Sequence, residues 1–329
     1  MTSSFAQTTV GQAFLGVDGG GSKTLAIVVD AQGQERGRGQ SGSSNYAAVG
    51  VQQAVAHLRA AAEEAAQAAG YVLPLQGAWL GLAGVDRPED VALLLPHFQP
   101  LAERIHLTND AELVLSGLER SVGVALIAGT GSIALGRDAD GNTTRAGGWG
   151  HILGDEGSGY EIGRLALQAA ARAADGRGRP TLLLTLIMNH WTLHKAEDMI
   201  GQVYKDEDKA QIARLSSLVF IAAHAGDEAA RQIVQHAAHE LALAALTVDK
   251  ALHFPEGRMP LALGGGLLVH EAVFRMQVLR RIRHRRTPGP VIAVDQPALS
   301  GARAAMTLFQ TDERSTSAAI KQEEVSRHG

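Results

Sequence analysis

The run Asp18-Gly19-Gly20-Gly21-Ser22-Lys23-Thr24 lies between two apolar, β-rich segments, Ala13 to Val17 and Leu25 to Asp30, and this placement constrains the chain more than any other feature. A glycine turn with a strand on each side predicts a hairpin. It also excludes a P-loop, which needs glycine where Ser22 stands before Lys23 and a helix where Leu25 to Asp30 is strand-like. A hairpin without Cβ atoms brings its backbone close to a ligand, admits positive φ, and can offer the amides of Gly19, Gly20, Gly21, Ser22, Lys23 and Thr24 to phosphate oxygens. Asp18 would then hold hydrated Mg²⁺ beside those oxygens. The alternative is a plain tight turn with a solvated Lys23.

The arrangement recurs. Val122 to Ala128 reads as a strand, Gly129-Thr130-Gly131-Ser132 as a turn, and Ile133 to Arg137 and Thr143 to Ala146 as further strands. A dinucleotide fingerprint is rejected at Gly129, because that fold requires a helix where Ile133 to Gly136 continues as strand. Two glycine hairpins opening two similar halves could grip one triphosphate from opposite sides of a cleft. A third cluster, Gly264-Gly265-Gly266, follows the strand Pro260 to Leu263 and precedes a helix, where backbone could face an adenosine; an ordinary β–α turn is the competing reading.

The first half reads as a β-meander reaching Ser41 and an amphipathic helix from Val51 to Ala69 closed by Gly70. Strands at Trp79 to Ala83 and Ile105 to Thr108 follow, flanking a helix around Pro88 to Pro96, and then a helix from Asp110 to about Arg120. The second half adds helices from Tyr160 to Ala174 and from Asp227 to about His253, another helix to about His284, a strand at Val291 to Val294 and a helix after Pro297. The expected division is 1–119 and 120–310, with a polar, frayed tail over 311–329.

Composition narrows the function. Thirty Lys and Arg against 34 Asp and Glu give a net charge of −4, with no general attraction for nucleic acid or anionic lipid. The chain has no cysteine, which removes thiol nucleophiles and thiolate-held metals and suits a reducing compartment. No signal peptide or long apolar span is visible, so a cytoplasmic location is expected. The arginine-rich run from Arg280 to Arg286 reads as a solvated helix face, and His236 and His239 lack metal-site spacing.

Asp110, in Thr108-Asn109-Asp110-Ala111, follows a strand and opens a helix, so it is either the helix N-cap or a general base at a strand's C-terminal end. The loop from Gly147 to Gly159 is too rich in glycine for a core element. Its Asp155 and Glu156 could cap the next helix, or line a pocket that hydrogen-bonds a polyol, and His151 is equally a structural residue or a ligand. Asn45 is a turn residue or a hydroxyl-reading amide.

Taken together, the two hairpins, Asn109-Asp110-Ala111, the run Gly154 to Gly159 with the upstream Gly147-Gly148-Trp149-Gly150, and Gly264 to Gly266 resemble the BadF/BadG/BcrA/BcrD ATPase family, on its N-acetylglucosamine kinase-like branch. The resemblance spans about Phe14 to Phe309. It implies an α/β protein of two ribonuclease-H-like, actin-like ATPase lobes with an interlobe cleft, using ATP and Mg²⁺ on the 6-hydroxyl of N-acetylglucosamine. A homodimer is expected. By the same resemblance Asp110 is the catalytic base; Asn45, Asp110, Thr130, Gly148 and Asp155 are sugar contacts; the two hairpins hold phosphates and Gly264 to Gly266 the adenosine. Gly159 stands where mammalian-type members have alanine, near the sugar's C2 substituent, and a glycine there would leave room beside it. Glucosamine kinase is the alternative of like chemistry. An activator of a 2-hydroxyacyl-CoA dehydratase would need cluster-binding cysteines, and a regulator that binds ATP without turnover is a further alternative.

Overall fold

A computed structural model describes residues 11–205 and 209–309. The described residues divide into two compact units, one formed by 11–121 together with 296–309, the other by Val122–Asp295.

The first unit holds a five-stranded sheet: β1 (Ala13–Gly19), β2 (Thr24–Asp30), β3 (Glu35–Ser41), β4 (Leu75–Leu82) and β5 (Ala102–Thr108), in spatial order β3-β2-β1-β4-β5. β1 pairs antiparallel with β2 and parallel with β4, and β4 pairs parallel with β5. The central strands β1, β2 and β4 are largely apolar runs because both of their faces are covered, whereas the edge strand β3 is polar, and the two-residue period sorts the apolar side chains into two cores. Leu15, Val17 and Val28 pack with Leu58, Ala62 and Phe98 on one side. Phe14, Ile27 and Val29 pack with Ala298, Ala302 and Phe309 on the other.

The helices of this unit are α1 (Tyr46–Val49), α2 (Val51–Ala69), α3 (Pro88–Phe98) and α4 (Asp110–Leu115), joined by a helix over 297–309. α2 buries Ala54, Leu58, Ala61, Ala62 and Ala65 and ends on Gly70 at φ 76°, as its sequence predicts. The helix over 297–309 lies directly on β1, where any Cβ at Gly16 would overlap the Ala298 carbonyl. This contact corrects the expected division: the second half stops at Asp295, and the following helix covers the first unit's sheet. The expected tail over 311–329 lies outside the described residues.

The second unit repeats the pattern with β6 (Gly123–Ala128), β7 (Ser132–Arg137), β8 (Thr143–Gly147), β9 (Leu261–Gly264) and β10 (Val291–Ala293), ordered β10-β9-β6-β7-β8. Here β6 plays the part of β1, antiparallel to β7 and parallel to β9. The helices are α5 (Gly159–Ala174), α6 (Leu182–His190), α7 (Asp198–Tyr204), α8 (Lys209–Arg214), α9 (Ser216–His224), α10 (Glu228–Leu252), α11 (Gly266–Val269) and α12 (Ala272–Arg285). One core joins Val124 and Leu126 of β6 to Ile162 and Ala166 of α5 and Ala238, Leu241 and Ala245 of α10. The four helices between α5 and α10 have no counterpart in the sequence reading, and the helix expected to run to Arg120 ends at Leu115, with left-handed Arg120 and Ser121 turning the chain into β6.

Candidate functional site

In the first unit, β1 and β2 are closed by the glycine turn, with the Gly20 N–H donating to Lys23 O at 2.9 Å. Gly21, Ser22 and Lys23 are exposed, so the tip is open to a ligand. Handedness does not require these glycines, since Gly19, Gly20 and Gly21 are absent from the positive-φ residues; packing requires only Gly19, where a Cβ would overlap Ser44 Oγ and the Leu82 side chain, while Gly20 and Gly21 leave the tip uncrowded. Thr24 is buried, its hydroxyl donating to Gly42 O at 2.7 Å.

Asp18 and Asp110 share this unit. Burial pushes the Asp18 carboxyl up to about 6, the Asp110 charge adds to the rise, and Lys23 opposes it. Asp110 is also raised, first by desolvation and then by Asp86, against the pull of the Asp110 and Ala111 amides at the start of α4. Its residue surface is nonetheless solvent-accessible. The helix cap is Asn109, whose side-chain oxygen accepts the Glu112 N–H at 3.1 Å. Asp110 occupies the first helical position, which settles one of the two sequence readings: it is not the N-cap, and its carboxylate is left for other work.

Asn45 ends the turn after β3. Its Oδ1 accepts the Ala47 N–H at 3.1 Å to cap α1, leaving the side-chain NH₂ as a donor. It lies against Gly84, where a Cβ would sit 3.1 Å from that Oδ1.

The second unit gathers the remaining residues around β6 and β7. The Gly129 N–H donates to Gly131 O at 2.9 Å to close the turn, and the N-terminus of α5 holds it from behind, with Gly159 N–H on Gly129 O at 2.8 Å and Tyr160 N–H on Thr130 O at 3.2 Å. Gly265, at φ 78°, is pressed so close to Ala128 that any Cβ would overlap its carbonyl, and a Cβ on Gly129 would lie 4.0 Å from Gly266 N. Gly265 and Gly266 therefore adjoin this turn, and Gly264 pairs with Ile127 in the strand that leads into it. Thr130 is exposed, and Ser132 donates its hydroxyl to Glu156 O at 2.7 Å.

Asp155 lies over the same turn. A Cβ on Gly131 would sit 3.0 Å from its Oδ2, and the Ser132 N–H reaches its Oδ1 at 3.5 Å. Asp155 is buried, and burial raises its carboxyl, opposed by Ser132 N–H, Lys209 and His151. Its φ of 60° is unusual outside glycine, though Asp tolerates it better than most residues. The cap of α5 is Ser158, accepting from Glu161 N–H at 3.1 Å, so Asp155 and Glu156 are not its caps. Ser158 was missed although Ser158-x-x-Glu161 is a readable capping pattern. Gly148, at φ 69°, uses its N–H on Ser132 O at 3.1 Å, so its amide is already engaged.

Gly159 overturns one expectation. The place of its missing Cβ is 3.0 Å from Gly129 O and 3.3 Å from Ala213 O, so glycine there brings α5 against the hairpin and opens no space.

Among the described residues no three His, Asp or Glu side chains gather as a metal cage. Mg²⁺ needs no such cage, since it binds through one or two carboxylates, waters and substrate phosphates. Asp18, a carboxylate whose ionisation burial and the Asp110 charge make costlier, beside the exposed turn residues Gly21, Ser22 and Lys23, fits that donor set.

Two sheets of one strand order, each opened by a glycine hairpin, define the two-lobed fold of the actin-like ATPases. The chain belongs to the BadF/BadG/BcrA/BcrD ATPase family, matching it over residues 15–300. It is 35% identical over 287 residues to an N-acetyl-D-glucosamine kinase of Dictyostelium discoideum, covering 82% of this chain and 90% of that one. With an N-acetylmuramic acid/N-acetylglucosamine kinase of Clostridium acetobutylicum it shares 39% identity over 193 residues, 57% of this chain and 63% of that protein's length. A glucosamine kinase of Vibrio cholerae is 28% identical over 69% of this chain and 77% of its own. A crystal structure assigned as an N-acetylglucosamine kinase of Chromobacterium violaceum superposes with a TM-score of 0.73 at 28% identity, over 91% of this chain and 99% of that one.

Proposed function

We propose that the protein transfers the γ-phosphoryl group of ATP to the 6-hydroxyl of N-acetylglucosamine. The observation that carries this reading is the placement of Asp110: relieved of capping by Asn109, it stands just past the C-terminal end of β5, where a general base can meet a ligand, and desolvation raises its carboxyl. Two relatives with N-acetylglucosamine in their names support the substrate.

In this reading Asp110 accepts the hydroxyl proton as the sugar oxygen bonds to phosphorus and ADP departs. The hairpins Gly19 to Thr24 and Gly129 to Ser132 face the phosphate oxygens through the amides their own turns leave over, those of Gly20 and Gly129 being engaged within the turns; Gly264 to Gly266 face the adenosine, and Asn45, Thr130, Gly148 and Asp155 hold the sugar. Gly148 contributes through its carbonyl, because its N–H is engaged. Asp18 holds Mg²⁺ through water; the ion, when bound, supplies positive charge against the phosphates. No helix among the described residues is long and apolar enough to cross a membrane. We place the enzyme in the cytoplasm, whose reducing conditions suit a cysteine-free chain, and expect a homodimer from the family resemblance.

Glucosamine is the second substrate reading, favoured by the Vibrio relative. The test is ADP release with N-acetylglucosamine, with glucosamine and without sugar. Release that depends on N-acetylglucosamine supports the proposal; release equal in all three samples overturns it.

A further inference from the structure

The residues assigned above to sugar and to phosphate in the first unit are joined by a short chain of hydroxyls that no assignment yet uses. Ser43 Oγ donates to Gly20 O, in the phosphate hairpin, at 3.2 Å. The same oxygen accepts the backbone N–H of Asn45, the sugar-turn residue, at 3.3 Å. A hydroxyl has one proton to give and lone pairs to receive, so Ser43 uses both capacities and links the two segments directly. Both bonds are long for their type, with room to shorten.

A second connection runs in parallel. Ser44 Oγ and Thr24 Oγ1 are 2.9 Å apart, and Thr24 also donates to Gly42 O at 2.7 Å. Ser44 abuts Gly19 so closely that a Cβ on that glycine would overlap its hydroxyl oxygen. Thr24 and Ser44 are fully buried and Ser43 nearly so, where an unmade hydrogen bond is costly and geometry is strictly held. From behind, His57 of α2 grips the turn: its Nδ1 is 2.7 Å from Ser43 O, and Gln53 Nε2 lies 2.9 Å from its Nε2. With Gln53 donating to Nε2, the proton sits on Nδ1 and points at the carbonyl.

We infer that Ser43 and Ser44 are positioning residues that couple the two substrates, so that sugar held at Asn45 fixes the hairpin from Gly19 to Lys23 in the form that binds nucleotide phosphates. This rests on the sugar-kinase reading. A ligand taking the Asn45 side-chain NH₂ orders the turn that supplies the N–H to Ser43, and Ser43 passes that order to the Gly20 carbonyl one covalent step from the hairpin amides. The effect must be reciprocal, since the free energy that sugar contributes to nucleotide binding equals that which nucleotide contributes to sugar.

The test is calorimetric titration of the full chain with a non-hydrolysable ATP analogue and Mg²⁺, with and without saturating N-acetylglucosamine. In the wild type the sugar should tighten analogue binding by about 5–150-fold, the usual span of such coupling. Ser43→Ala and Ser44→Ala should each reduce that factor by about 2–10-fold, the worth of one hydrogen bond, while analogue binding without sugar changes little. Ser43→Thr, which keeps the hydroxyl, should restore it. A wild type that binds both ligands without coupling overturns the inference, as do serine variants that weaken each ligand but leave the factor intact. Absence of sugar binding in the wild type would instead overturn the kinase reading itself. Ser44→Ala serves as the independent variant should Ser43→Ala fail to fold, which thermal melting reveals.

Discussion

Asn109 Oδ1 accepts the Glu112 N–H at 3.1 Å, so the helix that opens with Asp110 is capped by the residue before it. Capping and chemistry are therefore separable at adjacent positions. Asp110→Asn should lower kcat by about 10²–10⁴-fold, the usual cost of a lost general base, with little change in melting temperature. Asn109→Ala should do the reverse, losing about 1 kcal/mol of stability while kcat stays within a few-fold. Steady-state kinetics and thermal melts on the two variants decide it; a fully active Asp110→Asn enzyme sinks the base assignment.

The two glycine hairpins should respond differently to a side chain. At Gly20 the nearest atom to an added Cβ is Lys23 O at 3.4 Å, so Gly20→Val should fold normally and act only on the nucleotide, raising the KM for ATP by roughly 10-fold or more if one amide–phosphate hydrogen bond is lost. At Gly131 the added atom meets the Asp155 carboxylate at 3.0 Å. Gly131→Val should therefore raise the KM for sugar as well as ATP and lower the melting temperature. Equal kinetic behaviour of the two variants contradicts this difference.

How much of this was legible follows from what sequence patterns encode. Apolar runs interrupted by Gly19 to Gly21 and Gly129 to Gly131 gave both hairpins, because period-two strands and glycine turns are local signals. Asp110 was ambiguous because Asn and Asp cap equally well, and no local rule says which of two neighbours will do so. α6 to α9 escaped because they are short, and α6 has Leu182 exposed among its apolar residues, which blurs a helical stripe. Gly159 was read as open space, whereas only the fold shows the Gly129 and Ala213 carbonyls on either side of it. The return of 297–309 to the first sheet depends on Gly16, about 280 residues earlier, a pairing that periodicity cannot register.

Tyr46 and Asp90 give the fold a measurable pH signature. The Tyr46 hydroxyl donates to Asp90 Oδ1 at 2.6 Å, tying the α1 turn beside Asn45 to the first turn of α3. That bond, helped by the Arg87 and Asp86 N–H groups against desolvation, holds the Asp90 carboxyl below its ordinary value; the same bond and burial raise the Tyr46 phenol. A depressed acid stabilises the fold above its unfolded pKa and loses that contribution as pH falls, here below about 4. A raised phenol stabilises below its unfolded pKa and loses it as pH rises beyond about 10. Tyr46→Phe should thus cost about 1.5–3 kcal/mol between those limits, with the gap to wild type closing at both ends. Urea unfolding across pH measures it, and a gap that stays constant from pH 3 to 11 rules the pair out.

Asp155 combines a buried carboxylate with a left-handed backbone, and the two can be tested apart. Glycine accepts φ 60° without strain, so Asp155→Gly should fold at least as stably as wild type, relieving a conformation that costs other residues about 1–3 kcal/mol. If the carboxylate hydrogen-bonds the sugar, the same change should reduce kcat/KM for sugar by roughly 10–150-fold, the equivalent of one charged hydrogen bond, and leave the KM for ATP nearly unchanged. N-acetylglucosamine should be the better substrate of the wild type. Because the site of a Gly159 side chain is filled by Gly129 O and Ala213 O, that glycine gives no reason to favour a bare amine, and Gly159→Ala should act by shifting the hairpin, raising both KM values together. Comparing kcat/KM for the two sugars in wild type and Gly159→Ala tests this. A tenfold preference for glucosamine reverses the substrate ranking, and a Gly159→Ala variant altered only in sugar preference restores the C2 subsite reading of that position.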